Sequence, residues 1–60
     1  MNAEFEIYED ASGHWRWRLW SVGNSKIVAD SGEGYYSPSD AERAVQWVKA
    51  NAPTAPIRRS

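Results

Sequence analysis

Sixty residues, 42% of them hydrophobic, leave room for one domain and no more. The chain has no cysteine and one histidine, so disulfides, thiolate catalysis and a Cys/His metal cluster are excluded. Seven Lys and Arg against eight Asp and Glu give a net charge of −1, which is no footprint for strong binding to a polyanion or an anionic membrane.

A domain this short buries only about 60% of the surface its unfolded chain exposes. It needs large side chains or a partner chain to complete a core. Four Trp, three Tyr and one Phe are the side chains available.

Residues 4–9 (EFEIYE) alternate strictly, which predicts a half-buried strand with Phe5 and Ile7 inward. Asp10-Ala11-Ser12-Gly13 is turn chemistry. Residues 14–21 (HWRWRLWS) alternate again, with Trp15, Trp17 and Leu19 on the inner face. A three-residue loop, Ala11–Gly13, wants a left-handed third residue, and Gly13 supplies it. That loop sets Ile7 opposite Trp17 and Phe5 opposite Leu19, and on the outer face Glu6 opposite Arg18 and Tyr8 opposite Arg16. A slip by one residue would bring Phe5 beside Arg18, so pattern and turn agree.

A second turn at Val22–Ser25 leads into a third strand over 26–31. A two-residue Gly23-Asn24 loop turns Val28 and Asp30 inward; a three-residue Gly23–Ser25 loop turns Ile27 and Ala29 inward. The second is preferred, because burying Asp30 without a partner is costly. The glycine-rich stretch 31–36 connects sheet to helix. Ser37 fits a helix N-cap, Pro38 the first helical position and Asp40 the third. Ala41, Ala44, Val45 and Val48 form a narrow apolar stripe, with Trp47 to one side of it. Pro53 ends the helix near Asn51 or Ala52. The tail 53–60 reads either as a frayed end or as a short edge strand with Ile57 filling a groove.

The run F-E-I-Y-x-D-x-x-G-x-W-R-W-R-L (Phe5–Leu19), S-G-E-G-Y (Ser31–Tyr35) and V-K-x-N-A-P (Val48–Pro53) together resemble the YegP-like family of small domains of unknown function. The resemblance covers about residues 4–53. It implies an α+β fold: a three-stranded antiparallel sheet, one helix and a short C-terminal strand (β-β-β-α-β). It also implies that two such units, in tandem or as two chains, exchange that strand within one sheet. One copy is present here, so the implied state is a homodimer. The expected domain spans 1–60, with a core at 4–52 and an exchanged strand or tail at 53–60.

Chemistry finds little purchase. Asp10, Ser12 and His14 could be drawn as a catalytic arrangement, but each is favoured at a hairpin turn for local reasons. Glu4, Glu6, Glu9 and Asp10 are the acidic cluster, and alternation splits them between faces, so ion pairs with Arg16 and Arg18 are the favoured use. Gly32-Glu33-Gly34 lacks the third glycine or the lysine that a nucleotide loop requires. His14, Arg16, Arg18 and Trp20 form the candidate binding face, with Tyr35 and Tyr36 nearby; such interleaving can hold nucleic-acid backbone and bases. Trp47 and Ile57 are the candidate dimer contacts. No basic segment followed by an apolar run opens the sequence. The expectation is therefore a cytoplasmic, non-enzymatic homodimeric domain without cofactor, metal or membrane partner, with nucleic acid as the alternative partner.

Overall fold

The computed structural model describes residues 2–60. Three strands, β1 (Ala3–Glu9), β2 (Trp15–Ser21) and β3 (Lys26–Asp30), form an antiparallel sheet in the order β1-β2-β3. One helix, α1 (Pro38–Asn51), follows and lies across β1 and β2 without touching β3.

The first hairpin has the register its turn and alternation predict: Phe5 faces Leu19, Ile7 faces Trp17, Glu6 faces Arg18 and Tyr8 faces Arg16. Gly13 takes φ 86°, and the Asp10 amide donates to the His14 carbonyl at 2.8 Å to close the loop. Any side chain at 13 would meet the steric cost of the left-handed region.

The second hairpin corrects the expected loop. Ser21 pairs with Lys26, so the loop holds four residues, Val22–Ser25, and its left-handed residue is Ser25 at φ 56°. A bulge opposite Leu19/Trp20 then absorbs the extra residue, and Leu19 meets Ala29. Ala29 therefore takes the inner side as expected. Ile27 does not: it pairs with Trp20 on the outer face, and both faces of β3 are exposed.

Ser31 ends the third strand in a manner its sequence did not announce. Its amide donates to the Trp17 carbonyl at 2.9 Å, and its buried hydroxyl accepts from the Trp17 amide at 3.2 Å. One side chain thus stands in for a ladder carbonyl as the backbone leaves the sheet. The chain returns at Tyr35, which exchanges two hydrogen bonds of 2.7 Å with Trp15. The glycines between them use no left-handed conformation. Gly34 serves close approach instead: a Cβ there would stand 3.0 Å from His14 Cβ. Nothing in the structure requires glycine at 32.

Ser37 caps α1, its hydroxyl accepting from the Asp40 amide at 3.2 Å, and Pro38 opens the helix. Asp40 adds an acidic group at the positive helix end, but its carboxylate turns to Arg43 at 3.3 Å rather than back to the cap. Ser37→Ala should cost about 1 kcal/mol in a urea melt. An unchanged midpoint would show that the cap carries no weight.

The core lies between α1 and the inner face of the first hairpin. Trp17, 8% exposed, stacks edge-to-face on Phe5 with ring centroids 5.6 Å apart. Ala41 and Val45 are the buried helix residues, and Ala44 and Val48 are half-buried on the stripe's margins. Small side chains at 41 and 44 let the helix backbone come close to a bulky indole. After α1 a short 3-10 turn, Ala52–Thr54, leads to residues 55–60, which are exposed and paired with no strand of this chain.

Candidate functional site

The residues expected on one binding face separate into two clusters. The first sits mid-sheet. The Arg18 Nε donates to Glu6 Oε1 at 2.6 Å, and the same oxygen accepts from Trp20 Nε1 at 2.8 Å. The Arg18 guanidinium lies 4.3 Å from the Tyr8 ring centroid and 5.3 Å from that of Trp20. Alternation on β1 and β2 puts all four side chains on the outer face, and the hairpin register makes Glu6 and Arg18 direct neighbours. The guanidinium first, then the indole N–H, hold the Glu6 carboxyl below its ordinary range.

The second cluster sits at the turn. Asp10 Oδ1 accepts from the Ser12 amide at 2.9 Å, the Ser12 hydroxyl at 2.8 Å and the His14 amide at 3.0 Å. Its Oδ2 accepts from Arg16 Nε at 2.6 Å. Four donors on one carboxylate hold it well below the usual range, with Arg16 the largest cause and the Ser12 hydroxyl next. Tyr36 approaches the His14 ring at 6.2 Å between centroids. Tyr35 does not join them, because its pairing with Trp15 places it on the helix side of the sheet.

The Asp10, Ser12 and His14 side chains do meet, but in the wrong order for acyl transfer. The Ser12 hydroxyl lies between the carboxylate, at 2.8 Å, and His14 Nδ1, at 3.0 Å. A nucleophilic serine needs the imidazole between itself and the acid. Here the single hydroxyl proton goes to the carboxylate, so Nδ1 must be the donor in its contact with Ser12. An imidazole that donates to the hydroxyl cannot deprotonate it. Among the described residues no cavity opens, and no three His, Asp or Glu side chains converge as metal ligands.

Both expected ion pairs with Arg16 and Arg18 form, to Asp10 and Glu6 respectively, while Glu4 and Glu9 take no part in them. Tyr8 belongs to the central cluster although the sequence did not mark it for a role. The signal was there: a residue opposite Arg16 is diagonal to Arg18, within reach of an aromatic ring.

Trp47 and Ile57 belong to neither cluster and share another property. Trp47 is 67% exposed on the flank of α1, and Ile57 in the tail is 100% exposed. With Val22, Ile27, Val28 and Tyr36 they leave more large apolar side chains in solvent than the core buries. No helix among the described residues is long and apolar enough to cross a membrane.

A family model described as Domain of unknown function (DUF1508) matches residues 10–58. A UPF0339 protein of Neisseria meningitidis serogroup B is 43% identical over 54 residues, which cover 90% of this chain and 93% of that protein. A UPF0339 protein from the ptx operon 5′ region of Stutzerimonas stutzeri is 42% identical over 53 residues, which cover 88% of this chain and 46% of that one. A protein from Haloferax volcanii with an NMR solution structure is 46% identical, covers 100% of both chains and superposes with a TM-score of 0.91. These likenesses agree with the YegP-like motifs of the sequence.

Proposed function

We propose, given that the chain belongs to the DUF1508 family of domains of unknown function, that it is a non-catalytic cytoplasmic binding domain that works as a homodimer, each copy lending its tail 55–60 to the other as a strand. The observation that carries this reading is surface area. A folded monomer of 6.8 kDa is expected to expose about 3,950 Å² by the usual mass scaling, and this chain exposes 4972 Å². The excess, roughly 1,000 Å², is the area one partner gives up in a stable interface of ordinary size. The tail supports the same conclusion, since Ile57 touches nothing in its own chain. So does the Stutzerimonas stutzeri relative, of which this chain spans 46%, leaving room there for a second unit in one polypeptide.

Light scattering at micromolar concentration tests it. The full chain should measure twice its 6.8 kDa, and truncation after Ala52 should give the monomer mass and a lower melting temperature. A full-length monomer, or a truncation that changes neither quantity, would overturn the proposal.

The alternative reading asks Arg16, Arg18 and Trp20 to meet phosphates and bases. Asp10 and Glu6 already neutralise both guanidiniums, and Glu6 also holds the Trp20 indole. The dimer is the better supported function for that reason.

A further inference from the structure

The outer face of the sheet has no element above it, because α1 packs on the other side, and its charges do not balance. The strands and the first turn set four carboxylates there, Glu4, Glu6, Asp10 and Asp30, against two guanidiniums, Arg16 and Arg18. We infer that this face holds an extended cationic segment of another protein, with two basic side chains four residues apart and an apolar one midway between them. The inference names a partner for the binding domain proposed above; it rests on that reading and not on the dimer.

The register shows which carboxylates are still available. Glu6 holds Arg18 and Asp10 holds Arg16, so Glu4 and Asp30, both exposed, have no ion-pair partner among the described residues. Glu4 pairs with Trp20, and Trp20 with Ile27; one same-face step along, Arg18 pairs with Asp30. Glu4 and Asp30 thus lie on the two outer strands, two strand spacings across and one such step along, about 12 Å apart. An extended chain covers about 13 Å in four residues, and residues i, i+2 and i+4 project to one side. Basic side chains at i and i+4 then reach the two carboxylates, and residue i+2 comes down between them.

Apolar surface waits for that middle residue. The Trp20 indole stands on the central strand, and Ile27, directly across from it, is 47% exposed. The four-residue loop turns Ile27 to this side, while the bulge opposite Leu19/Trp20 returns Ala29 to the other. An isoleucine so placed contributes nothing to the core between sheet and helix. Bulges that re-aim a side chain in this way are common beside functional sites.

Charge selects the occupant. A nucleic acid or an anionic membrane would meet more negative than positive charge on this face, and like charges set against each other disfavour a partner. Small ligands sit in clefts, and no cavity opens among the described residues. A chain laid flat needs no cleft, and cationic groups on it complement the surplus carboxylates.

An NMR titration of the full-length protein with the peptide acetyl-Lys-Ser-Leu-Ser-Lys-amide tests this. Of the four indole N–H signals, that of Trp20 should shift, while those of Trp15, Trp17 and Trp47 stay in place. Glu4→Gln and Asp30→Asn should each weaken binding ~3-fold, and together ~10-fold. Glu42→Gln, an equal charge change on α1, should leave the affinity unchanged, and added salt should lower it. No Trp20 shift at peptide concentrations on the order of 5 mM overturns the inference and leaves the dimer standing. Equal binding of a peptide with Glu in place of both Lys does the same, as does a loss in Glu42→Gln as large as in Glu4→Gln. A Trp20 signal that moves on dilution of the protein alone puts a second copy on the face and overturns the inference; a single-stranded oligonucleotide that moves it in place of the peptide does so too. A monomer that binds the peptide through Trp20 overturns the dimer and leaves this inference standing.

Discussion

Replacing Trp17 with alanine should leave the domain unfolded, or nearly so, at room temperature. Truncating a large buried aromatic costs about 3–5 kcal/mol. A core of this size supplies no more than about 3–5 kcal/mol in total. Trp17 is the largest of the three buried apolar side chains, the others being Ala41 and Val45, so nothing nearby can collapse into the void. Trp17→Phe should behave differently. The smaller ring keeps the face that meets Phe5, and it removes an indole Nε1 that is buried without a hydrogen-bond partner. An unmet buried donor costs about 1–3 kcal/mol, and losing it offsets part of the lost area. Urea melts of the two variants check both statements. An alanine variant that unfolds cooperatively near the wild-type midpoint would remove Trp17 from the centre of the core.

Asp10→Asn should lower the melting temperature at pH 7 by more than Ser37→Ala does, and the difference should depend on pH. The Asp10 carboxyl titrates below its ordinary 3.8 in the folded chain, chiefly because Arg16 donates to it and then because the Ser12 hydroxyl does. A depressed carboxyl stabilises the fold above its unfolded value, and that contribution fades as pH falls toward the folded one. Glu6, also depressed from 4.5 by Arg18 and then Trp20, adds to the same acid limb. The gap between the wild type and the Asn variant should therefore begin to narrow below about pH 4 and keep narrowing as the pH falls further. Asparagine keeps one acceptor oxygen for the turn amides and turns its NH2 group toward Arg16, so the variant removes the ion pair and its hydrogen bond while leaving the turn contacts. Melting curves that stay parallel from pH 7 to acid would show that the Asp10–Arg16 pair contributes nothing.

The contrast between the two hairpins shows where a sequence specifies its structure. In the first, turn chemistry and period-2 alternation are independent signals that agree, and the register follows from either one. In the second, the sequence offers a two-residue Gly23-Asn24 loop or a three-residue Gly23–Ser25 loop, and the chain takes neither: the loop holds four residues, with Ser25 in the left-handed conformation. The bulge opposite Leu19/Trp20 restores the inward side of Ala29, and no residue type marks it in advance. Ser31 is a similar case: a serine at a strand end reads as a loop residue until its hydroxyl is seen replacing a backbone acceptor. The outer-face clusters were half visible. Facing partners such as Glu6 and Arg18 follow from the register, whereas the diagonal approach of Arg18 to Tyr8 and the reach of Arg16 to Asp10 depend on sheet twist and side-chain length.

The simple meander of this sheet has a bearing on the order of events in time. Every strand pairs with its neighbour in sequence, and α1 packs back on the hairpin that precedes it. Contacts this local close short loops and form rapidly, on the scale of micro- to milliseconds. Encounter with another molecule at cellular concentrations is slower. The sheet and helix are thus expected to form before association, so that a partner meets a finished surface rather than a nascent one.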